Sequence, residues 1–334
     1  MGAASKIRKT LKWVLGIFVC LFIGFFYVFV PWFLTGIITT NHFHFPDPND
    51  KKTPKDFGME FRPVEFHSTD GILLKGWYMP AGSDTGAMGG EANGTIIYCH
   101  GQNRTRIEML PYAAFGHRLG YNGLVFDFRH QGQSDGNLTT LGYRERYDVV
   151  GAIHFVLGEE KASRPVILWG VSMGAAAVLM AAADSPDASA VISDSTFINY
   201  RELIRHHYWL FLGLVRRNWW WFPALPAFPL TDEVTYWSAW RGHFKPSDFD
   251  LERAVKRINL RPILFVAVEG DQRMPPWYAQ SLYADSNSPE KELVIVGGSR
   301  HGEAFKYATK QYEQAVAHFL NDVSAIGKLA SSGH

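Results

Sequence analysis

The most constraining stretch of this 334-residue chain is a strand-like run that becomes a helix with no loop between them. Pro165 to Gly170 reads PVILWG, Gly170-Val171-Ser172-Met173-Gly174 forms a G-x-S-x-G motif, and MGAAAVLMAAA follows as a helical pattern. A turn that tight forces strained backbone at the serine, and the flanking glycines remove side chains that would clash. The Ser172 hydroxyl is then expected to stand exposed at the carboxyl end of a sheet. The N-terminus of the next helix lies beside it and favours developing negative charge.

The rest of the chain alternates in the same way. Short apolar runs rich in β-branched residues predict strands over Thr95–Cys99, Gly123–Phe128, Pro165–Gly170, Ala190–Ser193, Pro262–Val268 and Glu292–Val296. Helical patterns fall near Ile107–Leu119, Gly142–Leu157, Met173–Ala183, Met274–Ala284 and Gly302–Asn321. This alternation predicts an α/β fold, a mostly parallel central sheet with helices on both faces. Two earlier runs, Pro63–His67 and Ile72–Met79, flank the turn Ser68-Thr69-Asp70-Gly71 and predict an opening antiparallel hairpin. A glycine-rich loop follows, from Gly82 to Gly94. One stretch interrupts the pattern: residues 199–250 hold six of the eleven tryptophans, including Trp219-Trp220-Trp221, and predict a cap over the site.

Ahead of all this, Trp13 to Leu34 reads WVLGIFVCLFIGFFYVFVPWFL without a charge. At ~1.5 Å per residue it can cross a ~30 Å hydrocarbon core. Lys6, Arg8, Lys9 and Lys12 precede it and no Lys or Arg follows before Lys51, which predicts a cytoplasmic N-terminus and an extracytoplasmic main domain. It lacks the shorter core and small-residue site of a cleaved signal peptide. Pro31 fits a helix about to stop. The expected organisation is a tip and transmembrane anchor over 1–35, a stalk over 36–60, and an α/β domain over 61–325 carrying the cap. His42 and His44 fall in the expected stalk. A net charge of +1 offers no basic field for nucleic acid. Cys20 lies in the apolar run, so no disulfide with Cys99 is expected. No G-x-G-x-x-G follows a strand and no metal-ligand cluster stands out, so no cofactor or metal is expected.

A serine hydroxyl attacks only with a base, commonly a histidine held by a carboxylate. Of thirteen histidines, His301 alone lies in the loop between the last expected strand and the final helix, in Gly297-Gly298-Ser299-Arg300-His301-Gly302. Asp271 follows the strand before it, with Glu269 two residues upstream and Asp194 after an earlier strand as rivals. An oxyanion hole needs two backbone N–H groups. Met173, next to the serine, is the expected first donor, and Gln102, after a His100-Gly101 pair that resembles the His-Gly of such loops, is the expected second. His100 itself is expected to brace its loop. His206 and His207 are expected on the cap surface.

From about Phe61 to Leu320 the chain resembles the α/β-hydrolase superfamily, on the side of serine aminopeptidase-like proteins and membrane-anchored esterases. Beyond the serine motif, FHSTDGILLKGWYMPA resembles that group's opening hairpin, and Asp127-Phe128-Arg129 with Gly132, Ser134 and Gly136 its D-x-R-x-x-G-x-S-x-G stretch. Asp271 to Pro275 matches its acid loop, although the glycine that relatives often place three residues before the acid is Val268 here, which keeps Glu269 open. Arg129 is expected in an ion pair. The resemblance implies an acyl-enzyme hydrolase with Ser172, Asp271 and His301 as catalytic residues. An apolar ester or thioester, small or lipid-like, is the first choice of substrate. The same machinery also serves a peptidase or amidase, and a silent membrane scaffold is the reading from another class.

Overall fold

The computed structural model describes residues 2–41, 43–82, 92–224 and 226–332. Most of the glycine-rich loop (83–91) and His42 lie outside the described residues. Among those residues, eight strands form one sheet: β1 (Arg62–His67), β2 (Leu73–Met79), β3 (Thr95–Cys99), β4 (Asn122–Phe126), β5 (Val166–Val171), β6 (Ala190–Asp194), β7 (Ile263–Val268) and β8 (Lys291–Val296). Their order is β1-β2-β4-β3-β5-β6-β7-β8, and only β2 runs antiparallel to its neighbours.

Because side chains alternate along a strand, each central strand feeds both faces. Ile97, Leu168 and Phe265 point to the side covered by α4 (Glu145–Gly158), α5 (Met173–Asp184), α8 (Leu251–Ile258) and α9 (Pro276–Asp285). Ile96, Trp169 and Leu264 point to the side covered by α3 (Leu110–Arg118) and α11 (Thr309–Ser332). The periodicity did not single out α8, which Asp250 caps by accepting from Arg253 N at 3.0 Å. The last helical pattern is split: α10 (Ala304–Tyr307) ends at Ala308, and α11 starts afresh.

The segment 199–250 leaves and rejoins the domain through one neck, an antiparallel bridge between Asn199 and Asp250. Inside it α6 (Tyr200–Asn218) and α7 (Leu230–Arg241) pack on one another. The N-terminal helix runs as α1 (Gly2–Gly24), a π-turn (Phe25–Phe29) and α2 (Val30–Thr40). Ser5–Thr40 is long and apolar enough to cross a membrane, its most apolar 18 residues reaching a mean hydropathy of 2.6. The helix does not stop at Pro31. The wider π-turn comes first, so Pro31 enters at the first turn of α2, where its missing N–H costs least. The last turns of α2 pack on α7 and bury Thr35 and Thr39. Residues expected as a stalk also lie on the domain: Phe45 N donates to Asn103 O at 2.9 Å, and Met59 is buried.

One buried ion network ties the opening hairpin to the sheet. Arg129 donates to Asp148 (Nη2–Oδ1 2.6 Å) and to Asp70 in the hairpin turn (Nη1–Oδ2 2.8 Å). Arg129 is 3% exposed and Asp148 is fully buried. Removing one partner would leave the other charge uncompensated, which costs far more than the net worth of the pair. Arg129→Met is therefore expected to lower stability by about 3–5 kcal/mol. Arg129→Met with Asp148→Leu should recover most of it, as read from urea unfolding of detergent-solubilised protein.

Candidate active site

β5 ends at Val171 and α5 begins at Met173, so Ser172 alone makes the turn, with φ 56° and ψ −116°. Few non-glycine residues adopt positive φ, and the conformation is held from outside. Ser172 N donates to the Asp194 carbonyl on the adjacent strand at 2.8 Å. A Cβ on Gly174 would lie 2.1 Å from Cys99 O, and one on Gly170 would lie 2.4 Å from the Gly174 carbonyl carbon. Both positions therefore exclude any side chain.

The carboxyl ends of β7 and β8 supply the other two groups. His301 Nε2 lies 2.8 Å from Ser172 Oγ, and His301 Nδ1 lies 2.7 Å from Asp271 Oδ2. An ionised carboxylate only accepts, so Nδ1 carries the proton and Nε2 is left to accept from the serine hydroxyl. Asp271 Oδ1 accepts from Arg273 N (2.8 Å) and Met274 N (3.0 Å). Burial opposes the Asp271 charge, but the bond from His301 and these two N–H groups outweigh it and hold its carboxyl below the ordinary value.

The rivals are placed elsewhere. Glu269 is exposed. Asp194 is fully buried and bonded to Ser195 Oγ (2.7 Å) and Tyr312 OH (2.8 Å), and burial pushes it up to about 6. Gly270, directly before the acid rather than three residues before it, has a reason to be there. Its N–H donates to Gly298 O at 2.9 Å, and a Cβ would sit 2.8 Å from that oxygen. The acid loop thus docks directly on the histidine loop.

His100 braces the loop after β3: Nδ1 donates to Gly101 O (2.7 Å) and Nε2 accepts from Phe128 N (3.0 Å). Gly101 N in turn donates to Glu108 Oε2 at 2.7 Å, and burial pushes Glu108 up to about 7. Gln102 and Met173 line a cavity of about 130 Å³ together with Ser172. The larger groove of about 620 Å³, around Arg201, Trp240 and Lys245 on the insertion, contains none of these residues.

Two lining residues escaped the sequence. His207, expected on the cap surface, lines this cavity; its Nδ1 donates to Leu203 O at 2.9 Å and burial pushes it down to about 4, so it is neutral. Its neighbour His206 bonds the Gln272 carbonyl of the acid loop at 2.7 Å. Ile38, from the N-terminal helix, also lines the cavity. A helical period could have offered His207 as inward-facing, but nothing local could have offered Ile38. His44 pairs with Asp50 at 2.9 Å. Among the described residues, Glu292, His318 and Asp322 bring potential ligand atoms within 4.8 Å of one another at the surface, where such sets are common without an ion.

A sequence profile described as the alpha/beta hydrolase family matches residues 96–318. The Bacillus subtilis protein YqkD is 26% identical over 232 residues, covering 69% of this chain and 72% of that one. The Schizosaccharomyces pombe protein bem46 is 23% identical over 277 residues, 81% of each. Among solved structures, an esterase of Pyrococcus furiosus shares the fold with a TM-score of 0.65 at 22% identity, covering 85% of this chain and 98% of that one.

The two buried carboxyls give a direct test of the site. Asp271→Asn is expected to lower hydrolysis of a short p-nitrophenyl ester about 10⁴-fold, because an amide donates where His301 must. Asp194→Asn should retain most of the activity. Comparable losses in the two variants, each checked for folding by circular dichroism, would contradict the assignment.

Proposed function

Because the chain belongs to the alpha/beta hydrolase family, we propose that it is a membrane-anchored serine hydrolase that cleaves a carboxylic ester or thioester through an acyl-enzyme. The observation that carries this reading is the unbroken chain Ser172 Oγ–His301 Nε2, His301 Nδ1–Asp271 Oδ2, at 2.8 and 2.7 Å.

In this reading His301 Nε2 takes the Ser172 proton as Oγ bonds to the substrate carbonyl carbon. The carbonyl oxygen becomes an oxyanion facing the backbone N–H groups of Met173 and Gln102. Collapse breaks the bond to the leaving group, which departs with the proton from His301. Water then gives a proton to His301 and its oxygen attacks the acyl carbon; the second collapse releases the acid and returns the proton to Ser172. Asp271 stays ionised throughout and stabilises the imidazolium. Leu141, Phe197, Leu203, Ile204 and Met274 line the cavity and suit an apolar acyl group. Its volume is below the ~300–1,000 Å³ of sites for drug-sized ligands, which favours a short acyl group.

The basic cluster before the apolar helix supports a cytoplasmic N-terminus with the main domain on the far side. The insertion then meets the lipid surface. Its α7 packs along α2 and reaches the Phe25–Phe29 turn, and Trp219, Trp220, Trp221 and Phe228 just before α7 are all exposed. Trp side chains favour that interface.

Detergent-solubilised protein should react with a fluorophosphonate probe, and Ser172→Ala should not. A folded parent that neither labels nor hydrolyses short esters would return the chain to the scaffold reading. In lipid nanodiscs, Trp219→Ser with Trp220→Ser and Trp221→Ser is expected to slow hydrolysis of a membrane-dissolved ester several-fold. A water-soluble ester should be cleaved as before, and equal rates on both substrates would remove the lipid-surface role.

A further inference from the structure

The last turn of the N-terminal helix takes part in the candidate site. A helix leaves its final four carbonyls without partners of its own. Two of those in α2 are taken by loops of the main domain: Gln102 Nε2 donates to Ile38 O at 3.2 Å, and Thr139 N donates to Thr39 O at 2.8 Å. One donor is the side chain of a proposed oxyanion residue. The other belongs to the loop leading into α4. α7 also covers this turn, with Arg241 Nη1 at 3.4 Å from Thr39 Oγ1.

This pinning fixes where Ile38 points. Its side chain is half-buried and packs with Leu34, one turn earlier, against the main hydrophobic core. It also lines the cavity that contains Ser172, together with Leu203 and Ile204 of α6. Ile37, by contrast, is 46% exposed and does not line it.

We infer that the end of the N-terminal helix forms one wall of the acyl-binding pocket, and that Ile38 is a specificity-determining residue setting the length of acyl chain accepted at Ser172. The inference rests on the hydrolase reading above. An apolar wall discriminates by volume: one methylene gained or lost in a hydrophobic pocket changes kcat/KM by roughly 10–200-fold. A wall drawn from the membrane-spanning helix also couples the pocket to the anchor, so the acyl chain is selected at the point where the helix leaves the bilayer.

The test uses the full chain in lipid nanodiscs and p-nitrophenyl esters from butyrate to decanoate. Active sites are counted with the fluorophosphonate probe. Comparing octanoate with butyrate in one preparation cancels any difference in folded fraction. Ile38→Ala should raise the octanoate-to-butyrate ratio of kcat/KM by about tenfold. Ile38→Trp should lower it by a similar factor, and Ile37→Ala should leave it unchanged. If both Ile38 variants are labelled and their chain-length profiles superimpose on the parent's, the wall role is wrong while the hydrolase reading stands. If the parent is neither labelled nor active, the hydrolase reading falls and takes this inference with it.

Discussion

The backbone of Ser172 is the constraint on which the other features of the site depend. A left-handed serine between a strand and a helix costs on the order of 1–3 kcal/mol and persists only where its surroundings over-determine it. Here they do. The strand and helix it joins are almost wholly buried, its N–H is bound by β6, and Gly174 lies against the end of β3 so closely that no side chain fits. Three neighbouring parallel strands therefore fix one hydroxyl, and the sheet order around β5 decides which loops can reach it.

The loops that reach it come from β7 and β8, and they are fastened to one another before they meet the serine. Gly270 and Gly298 bring the two backbones into direct contact, which fastens the Asp271 loop to the His301 loop. The contrast with Asp194 is instructive. Burial raises the cost of charge for both carboxyls, yet Asp271 is held low by an imidazole and two N–H groups, whereas Asp194 has two hydroxyl donors and the nearby Asp271 charge against it. Partner chemistry and depth together separate a carboxylate suited to orient a base from one that braces the core.

Above the sheet the insertion and the end of the N-terminal helix form a single covering layer. α6 reaches down through His206 to the acid loop, α7 lies along α2, and α2 is pinned to the loop after β3. Any shift of the helix relative to the domain would be felt at Gln102 and in the cavity wall. In this arrangement the apolar N-terminal helix is also a structural part of the pocket, which a helix joined by a loose stalk could not be.

Much of this was legible in the sequence because it is local. The strand–serine–helix junction, the alternation of apolar runs and the apolar N-terminal helix are each written within a few neighbouring residues, where propensity and periodicity act. The chain order Ser172, Asp271, His301 was legible for the same reason, since each follows its own strand. What the tertiary structure alone decided is what depends on residues far apart in the chain. It separated Asp271 from Asp194 and Glu269, turned His207 inward, folded residues 43–60 onto the domain, and carried the helix past Pro31 so that Ile38 lines one cavity with a serine more than a hundred residues away. Those outcomes come from packing and from the partners that orphaned polar groups must find, and neither is written in any one stretch of sequence.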